Sequence, residues 1–282
     1  WGLKKDGLRT RSDYAIPVWD GTPLVKQHLL VIAEQGVGDE VMFSSCFKDV
    51  IEQVNTVSIE CDYRLEPLFR RSFPSVKILP KKDGNNCDEL SVVDSQVAMG
   101  SLPRFYRKHE IEFPDHEGYL ICDSQKQQMW GERLQGLGVG LKVGISWKGG
   151  KDKEMRHKRS TLLLDQWVSV LKVEGVHFIN LQYGDCDDEL QQVKRELGVT
   201  IYDWDDADPL KDLDSFAAQI SVLDLVISID NSTVHMAGAL GVATWVLLPY
   251  AADWRWQRDR VDTPWYPSVQ LFRQIKPDEW AS

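Results

Sequence analysis

Asp224-Leu-Val-Ile-Ser-Ile-Asp-Asn-Ser-Thr-Val-His-Met-Ala-Gly-Ala-Leu-Gly241 decides how this chain folds. The apolar run from Leu223 to Ile229 has the length of a buried strand, and it ends on an acid, Asp230. Three small polar residues follow, Asn231, Ser232 and Thr233, before an apolar helix rich in Ala and Gly that is predicted to begin near Thr233 and stop at Gly241. In an open α/β sheet, ligands collect at such strand-to-helix turns, just outside the carboxyl end of the strand. Ser232 and Thr233 can cap the helix, whose first-turn amides attract phosphate, so the turn is a candidate anion cradle with a diphosphate as its guest.

The same rhythm extends in both directions. Residues 1–26 carry no clear period and read as an irregular arm. Strands are expected at 27–33, 56–61, 76–79 and 90–93, helices at 39–53 and 64–73, and a polar loop over 80–88. The second half repeats the alternation. Helices are expected at 124–137, 163–172, 187–197 and 213–222, and strands at 142–147, 176–182, 200–202 and 223–229, with a last strand at 243–248 completing the sheet. Strand–helix alternation implies parallel sheets with helices on both faces. The fold class is therefore α/β, as two facing Rossmann-like domains, residues 1–123 and 124–282, with a cleft between them.

At 282 residues the chain is long enough for two such cores, and 43% apolar with 27% charged residues are globular values. A net charge of -10 argues against nucleic acid and against an anionic membrane surface as the main partner. The longest apolar runs fall well short of the roughly 20 residues of a membrane helix, so no transmembrane segment is expected. Five scattered cysteines without a CxxC pair favour a reducing compartment, here the cytoplasm, over a disulfide framework or a zinc site. The chain opens on Trp1 rather than Met and reads as part of a longer protein.

Four segments are expected to meet at the strand ends. In Glu34-Gln-Gly-Val-Gly-Asp39-Glu40, Gly36 and Gly38 let backbone approach a ligand. Asp39 either takes a proton from an attacking hydroxyl or merely caps the helix. In Gly144-Ile-Ser-Trp-Lys-Gly-Gly150, Ser146 and Lys148 sit where a strand opens into a loop, and Lys148 can balance diphosphate charge. The cations that follow it, Lys151 to Arg159, read mainly as a solvated loop. Gln182 and Tyr183, after the strand at 176–182, either recognise a nucleoside or complete an ordinary turn. His235 lies in the first helical turn of the opening motif, as an anion contact or as a core histidine. Arg255 and Arg258, in an aromatic tail, are further phosphate partners, although packing is the main expectation there. No metal motif is present, and the Asp203–Asp208 cluster reads as a solvated loop.

These segments, in this order, resemble glycosyltransferase family 9, the heptosyltransferase-like group with a GT-B fold. The chain is similar in particular to the catalytic-type domain found behind tetratricopeptide repeats in many bacterial proteins. The matching stretches are LLVIAEQGVGDEVMF (29–43), VGISWKGG (143–150), FINLQYGD (178–185), LDLVISIDNSTVHMAGALG (223–241), VLLPYAADWRW (246–256) and DTPWYPSVQLFRQ (262–274). The last two are the most specific, and residues 62–140 match only in general pattern.

The resemblance implies an N-terminal acceptor-side domain, with Gly36, Gly38 and Glu40 near the acceptor, and a C-terminal nucleotide-sugar domain. It implies inverting, metal-independent transfer with Asp39 as base, Lys148 assisting, and the donor diphosphate held around Asn231, Ser232, Thr233, His235 and Ser146. No cofactor is implied beyond the nucleoside-diphosphate sugar, which is a substrate; the acceptor is a glycan or a protein, the latter if repeats lie upstream. Heptosyltransferases proper often show Thr-Gly where this chain has Asn231-Ser232, so the donor is not carried over. Two rival readings share the fold: a nucleotide-sugar epimerase, and a binding module without catalysis.

Overall fold

Leu29, Leu30 and Val31 are wholly buried at the centre of the first strand, β1 (Leu24–Ile32), as a parallel strand covered on both faces requires. The computed structural model describes residues 16–34, 36–81, 92–149, 164–277 and 279. The described residues up to Asp115, with Tyr119–Ile121, form one compact unit; His116–Gly118 and the described residues from Cys122 onward form a second.

In the first unit β1 leads through α1 (Val37–Phe43), a 3-10 turn and α2 (Phe47–Gln53) to β2 (Val54–Asp62). Then come α3 (Glu66–Ser72), β3 (Lys77–Lys81), β4 (Ser95–Ala98) and the short α4 (Pro103–Tyr106). The strands are all parallel in the order β3-β2-β1-β4, so the winding reverses between β1 and β4. Phe47, Phe69 and Phe73 pack edge to face between α2, α3 and its end, with ring centroids 5.1–5.9 Å apart. Each fully buried side chain of this kind stabilises the fold by about 1.5–3 kcal/mol.

The strand expected at 90–93 is corrected: Leu90 and Ser91 lie outside the described residues, and pairing with β1 begins at Ser95. Asp94 fixes that entry, its carboxylate accepting from the His28 N–H (2.8 Å) and its own N–H donating to the His28 carbonyl (3.0 Å). The polar Gln96 hid the strand from a hydrophobic pattern. Its buried amide donates to the Ile16 carbonyl at 2.6 Å, and its backbone bonds to Pro17 and Trp19, so part of the expected irregular arm runs along β4.

The second unit contains α5 (Ser124–Gln135), β5 (Leu141–Ser146), α6 (Val168–Leu171), β6 (Val176–Asn180), α7 (Asp187–Leu197) and β7 (Ile201–Tyr202). It continues with α8 (Leu213–Ile220), β8 (Leu225–Ile229), α9 (Ser232–Ala239), β9 (Thr244–Leu248) and β10 (Val269–Arg273). Its parallel sheet runs β10-β9-β8-β5-β6-β7, the doubly wound order in which the first and fourth strands, β5 and β8, lie side by side at the reversal. Val143, Ile145, Phe178 and Ile227 pack against Trp167, Leu171 and Val193 on one face.

The sheet does not end at 243–248. β10 extends it, paired with β9 from Val269↔Thr244 to Arg273↔Leu248. Its exposed Gln270 and Phe272 broke the apolar pattern. The tail before it packs under α9: a Cβ on Gly238 would stand 2.5 Å from the Tyr266 ring, so the helix approaches the ring only because that residue is glycine. Gly241, at φ +75, ends the α9 turn in the left-handed region, where glycine is favoured.

Candidate functional site

In the second unit the loops beyond β5 and β8 emerge beside one another, because Ser146 pairs with Ser228 at the reversal. A single side chain organises the β5 loop. Gln182, buried just after β6, accepts through Oε1 from the Trp147 N–H (2.9 Å), the Lys148 N–H (2.7 Å) and the Ser146 hydroxyl (3.2 Å). Its Nε2 donates to the carbonyls of Lys148 (3.2 Å) and Tyr183 (3.1 Å). The structure thus places Gln182 inside the loop, with its amide saturated. Tyr183 is half-buried on the same loop.

Asn231 does the same from the β8 side. It is the N-cap of α9, its Oδ1 accepting from the Thr233 N–H at 2.9 Å, and its Nδ2 donates to Ser146 Oγ (2.8 Å) and the Lys148 carbonyl (3.2 Å). Such a cap contributes about 1 kcal/mol. Ser146 and Asn231 therefore brace the two loops against each other. Thr233 is buried, while Ser232, at the first helical position, is only half-buried. Lys148 is half-buried and its Nζ is ion-paired with Glu189, in the first turn of α7. Lys151 to Arg159 lie outside the described residues.

His235 is buried, and both ring nitrogens are engaged: Nε2 with Arg255 Nη1 at 3.2 Å and Nδ1 with Tyr266 Oη at 2.9 Å. A guanidinium only donates, so Nε2 accepts and the proton sits on Nδ1, donating to the tyrosine. Burial, and then the Arg255 charge, holds the His235 pKa well below its ordinary value, so the ring is neutral. It stacks on Trp256 with centroids 5.5 Å apart. Both His235 ring nitrogens are thus occupied, and Arg255 Nε also donates to Asp253 Oδ1 at 3.0 Å, an ion pair. The sequence offered Arg255 as one of two tail cations, but nothing in it tied Arg255 to His235. Arg258 is exposed.

In the first unit α1 begins at Val37, two residues earlier than expected, with Gly36 as an N-cap that offers no side chain. Asp39 is therefore not the cap. It lies half-buried in the first turn with Gly38, where the helix dipole favours an acid. A Cβ on Gly36 would meet nothing within 4 Å, so the helix start is open there. Glu40 points inward: its Oε2 accepts from the Asp62 N–H at 2.8 Å, tying α1 to the end of β2, and burial pushes its carboxyl up to about 8. Glu34, which the sequence reading left unremarked at the end of β1, accepts from the Gly100 N–H beyond β4. Burial raises its pKa, and the nearby Asp39 charge adds to the shift.

Among the described residues no group of three His, Cys, Asp or Glu is placed to hold a metal ion, and no helix is long and apolar enough to cross a membrane. The acidic Asp203–Asp208 loop is tied to cations and an amide: Asp206 pairs with Arg133, Asp208 with Lys211, and Asp203 accepts from Asn180.

No family model matches the chain. Protein FlbA of Caulobacter vibrioides is 36% identical over 274 residues, covering 90% of this chain and 44% of FlbA, so the chain spans less than half of that relative. Among solved structures, ADP-heptose LPS heptosyltransferase II of Escherichia coli superposes with a TM-score of 0.61 at 12% identity, over 90% of this chain and 92% of that one. The family 9 glycosyltransferase of Veillonella parvula gives 0.59 at 12% identity, over 90% and 88%. At such identities the likeness is one of fold: a mixed α/β chain with two parallel sheets, as in GT-B glycosyltransferases.

Proposed function

We propose that this chain is a family 9-type glycosyltransferase that moves a sugar from a nucleoside diphosphate to an acceptor hydroxyl, with inversion and without a metal. The observation that carries the reading is the position of the Asn231-Ser232-Thr233 turn: it opens α9 where the winding of the second sheet reverses, the place at which open α/β sheets bind ligands. The two structural neighbours support it by analogy of fold, being named as a heptosyltransferase and a family 9 glycosyltransferase.

In this reading Asp39 takes the proton of the acceptor hydroxyl as its oxygen bonds to the anomeric carbon. The bond from that carbon to the diphosphate oxygen breaks, and the nucleoside diphosphate leaves with the electron pair. The amides and hydroxyl at Ser232 receive the growing charge, and Lys148 joins them by turning from Glu189. Gln182, Asn231 and Ser146 act by holding the loops, and Glu40 by seating α1. The acceptor is a glycan or a polypeptide, the latter presented by tetratricopeptide repeats outside this stretch, and the reaction belongs to the cytoplasm.

A melting screen against ADP-, GDP-, UDP-, CMP- and dTDP-sugars tests the donor site. A ligand at a hundred times its Kd stabilises the fold by about 2.7 kcal/mol, which is a readable rise in Tm. One responding nucleotide is the expected result; no response across the panel sinks the reading.

A further inference from the structure

We propose that Arg255 is the principal cation for the donor diphosphate, and that His235 is a positioning residue that acts by holding its guanidinium. The inference deepens the donor-site reading above and rests on it. Three observations lead here rather than to Lys148.

First, Gln182 and Asn231 bond the loops together, so the charges left to meet an anion are Lys148 and Arg255, each already paired with one carboxylate, Glu189 and Asp253. Second, Arg255 is tied to the first turn of α9, whose amides attract anions, by the 3.2 Å bond to His235 Nε2. The imidazole orients that guanidinium without cancelling its charge, because it is neutral; Asp253 Oδ1, 3.0 Å from Nε, fixes the other end of the fork. The guanidinium also lies 5.8 Å from the centre of the half-exposed Trp254 ring. A planar fork fixed in this way suits a diphosphate better than the mobile point charge of a lysine.

Third, the surroundings carry features that packing alone does not explain. Trp256, wholly buried and stacked on His235, has an indole N–H with no partner among the described residues, as do the buried Trp147 and Trp167. Leaving such a donor unmade costs about 1–3 kcal/mol. The next residue, Gln257, holds φ at 55, and Asp259 does the same, in a region that side chains other than glycine rarely adopt. An orphan donor and left-handed backbone directly after Arg255 fit a segment shaped for a ligand.

Calorimetric titration of ADP, GDP, UDP, CDP and dTDP, and of the matching monophosphates, tests the assignment on the wild type, R255Q, R255K, H235A and H235Q. For the nucleoside the wild type binds, R255Q is expected to weaken the diphosphate about tenfold, equivalent to ~1.4 kcal/mol, and to leave the monophosphate unchanged. H235A shifts the preference in the same direction. H235Q restores it, since its amide oxygen can accept from Arg255, and that rescue separates positioning from simple packing. Unaltered diphosphate preference in a folded R255Q overturns the proposal while the donor site stands. If R255Q melts far below the wild type, R255K decides for the fork: it keeps the charge without the planar guanidinium, and an undiminished preference there overturns the claim that the fork, positioned by His235, is what selects the diphosphate. A wild type that binds none of these nucleotides overturns both readings.

Discussion

The helix that opens beyond β1 and the helix that opens beyond β8 start at equivalent places, each next to the reversal of its own sheet, yet they present opposite chemistry. At α1 the cap is a bare glycine, and the side chains around it are carboxylates: Glu34 on the loop, Asp39 and Glu40 in the first turn. At α9 the cap is Asn231, preceded by Asp230, the first turn carries hydroxyls and a neutral imidazole, and the nearby cations are Lys148 and Arg255, paired with Glu189 and Asp253. In the proposed reading one start takes a proton and the other an anion. The backbone supplies the location in both, and the chemistry follows from the residues that happen to be buried beside it.

The strongest way to break this contrast is Asp39→Asn. If α1 is the proton-accepting start, release of nucleoside diphosphate from the bound sugar nucleotide should slow by about 10²–10⁴-fold, while donor affinity stays at the wild-type value. Unchanged turnover in a folded D39N enzyme would remove the proton-accepting role from α1. On the other side, Gln182→Ala takes the acceptor from two loop amides, those of Trp147 and Lys148. With each unmet donor costing about 1–3 kcal/mol, urea unfolding should show a loss of about 2–6 kcal/mol. A loss under about 1 kcal/mol would mean that the loop finds other partners and is not braced by this side chain.

Stability against pH sharpens the same contrast, because the two buried titratable groups act in opposite directions. Glu40 ordinarily ionises near 4.5 but is pushed up to about 8 in the fold. Between those values the folded protein keeps a proton that the unfolded chain has released, so its contribution is full below 4.5 and is lost as the pH rises through 8. His235 stays neutral in the fold while the unfolded chain protonates below its ordinary 6.5. Its contribution is therefore present above that pH and lost as the pH falls. Melting temperatures followed from about pH 5 to 9 should show E40Q flattening the alkaline limb and H235Q the acidic limb. Gln at position 40 keeps an acceptor for the Asp62 N–H, so E40Q should also melt higher than the wild type at the alkaline end. Parallel curves for a variant and the wild type would show that its group does not titrate as its burial demands.

Much of this was legible in the residues. The apolar runs of β1, β5, β8 and β9 announce themselves because strands buried on both faces need nearly continuous apolar sequence. The helix after β8 was readable from its small polar turn, although it starts at Ser232 rather than Thr233 and its cap is Asn231 rather than Ser232 or Thr233. Strands that carry exposed or polar positions were not: β4 is hidden by Gln96, whose amide serves the incoming chain, and β10 by Gln270 and Phe272 at the sheet edge. In the second unit the sequence pointed to the loops after β5, β6 and β8, which the structure joins, but it could not say which side chains face inward. Gln182, Asn231 and Glu40 are polar and near the strand ends, and each is engaged internally. Arg255 shows the converse, since its tie to His235 spans twenty residues and no local spacing encodes it.

The smallest expected effect falls on the Lys148–Glu189 pair. Lys148 and Glu189 are each about a quarter exposed, so their ion pair contributes no more than about 1 kcal/mol, and E189Q should unfold within that margin of the wild type. Its value lies in binding. With Glu189 neutral, Lys148 is released toward the α9 start, and the diphosphate should bind modestly tighter, an effect that added salt erodes because the lysine is partly solvated. If E189Q instead binds diphosphate no better than the wild type, while R255Q still loses its tenfold, the anion-binding start of the second unit depends on Arg255 alone. Lys148 is then a strut for α7. A gain in E189Q larger than the loss in R255Q would reverse the ranking of the two cations and leave His235 as a packing residue.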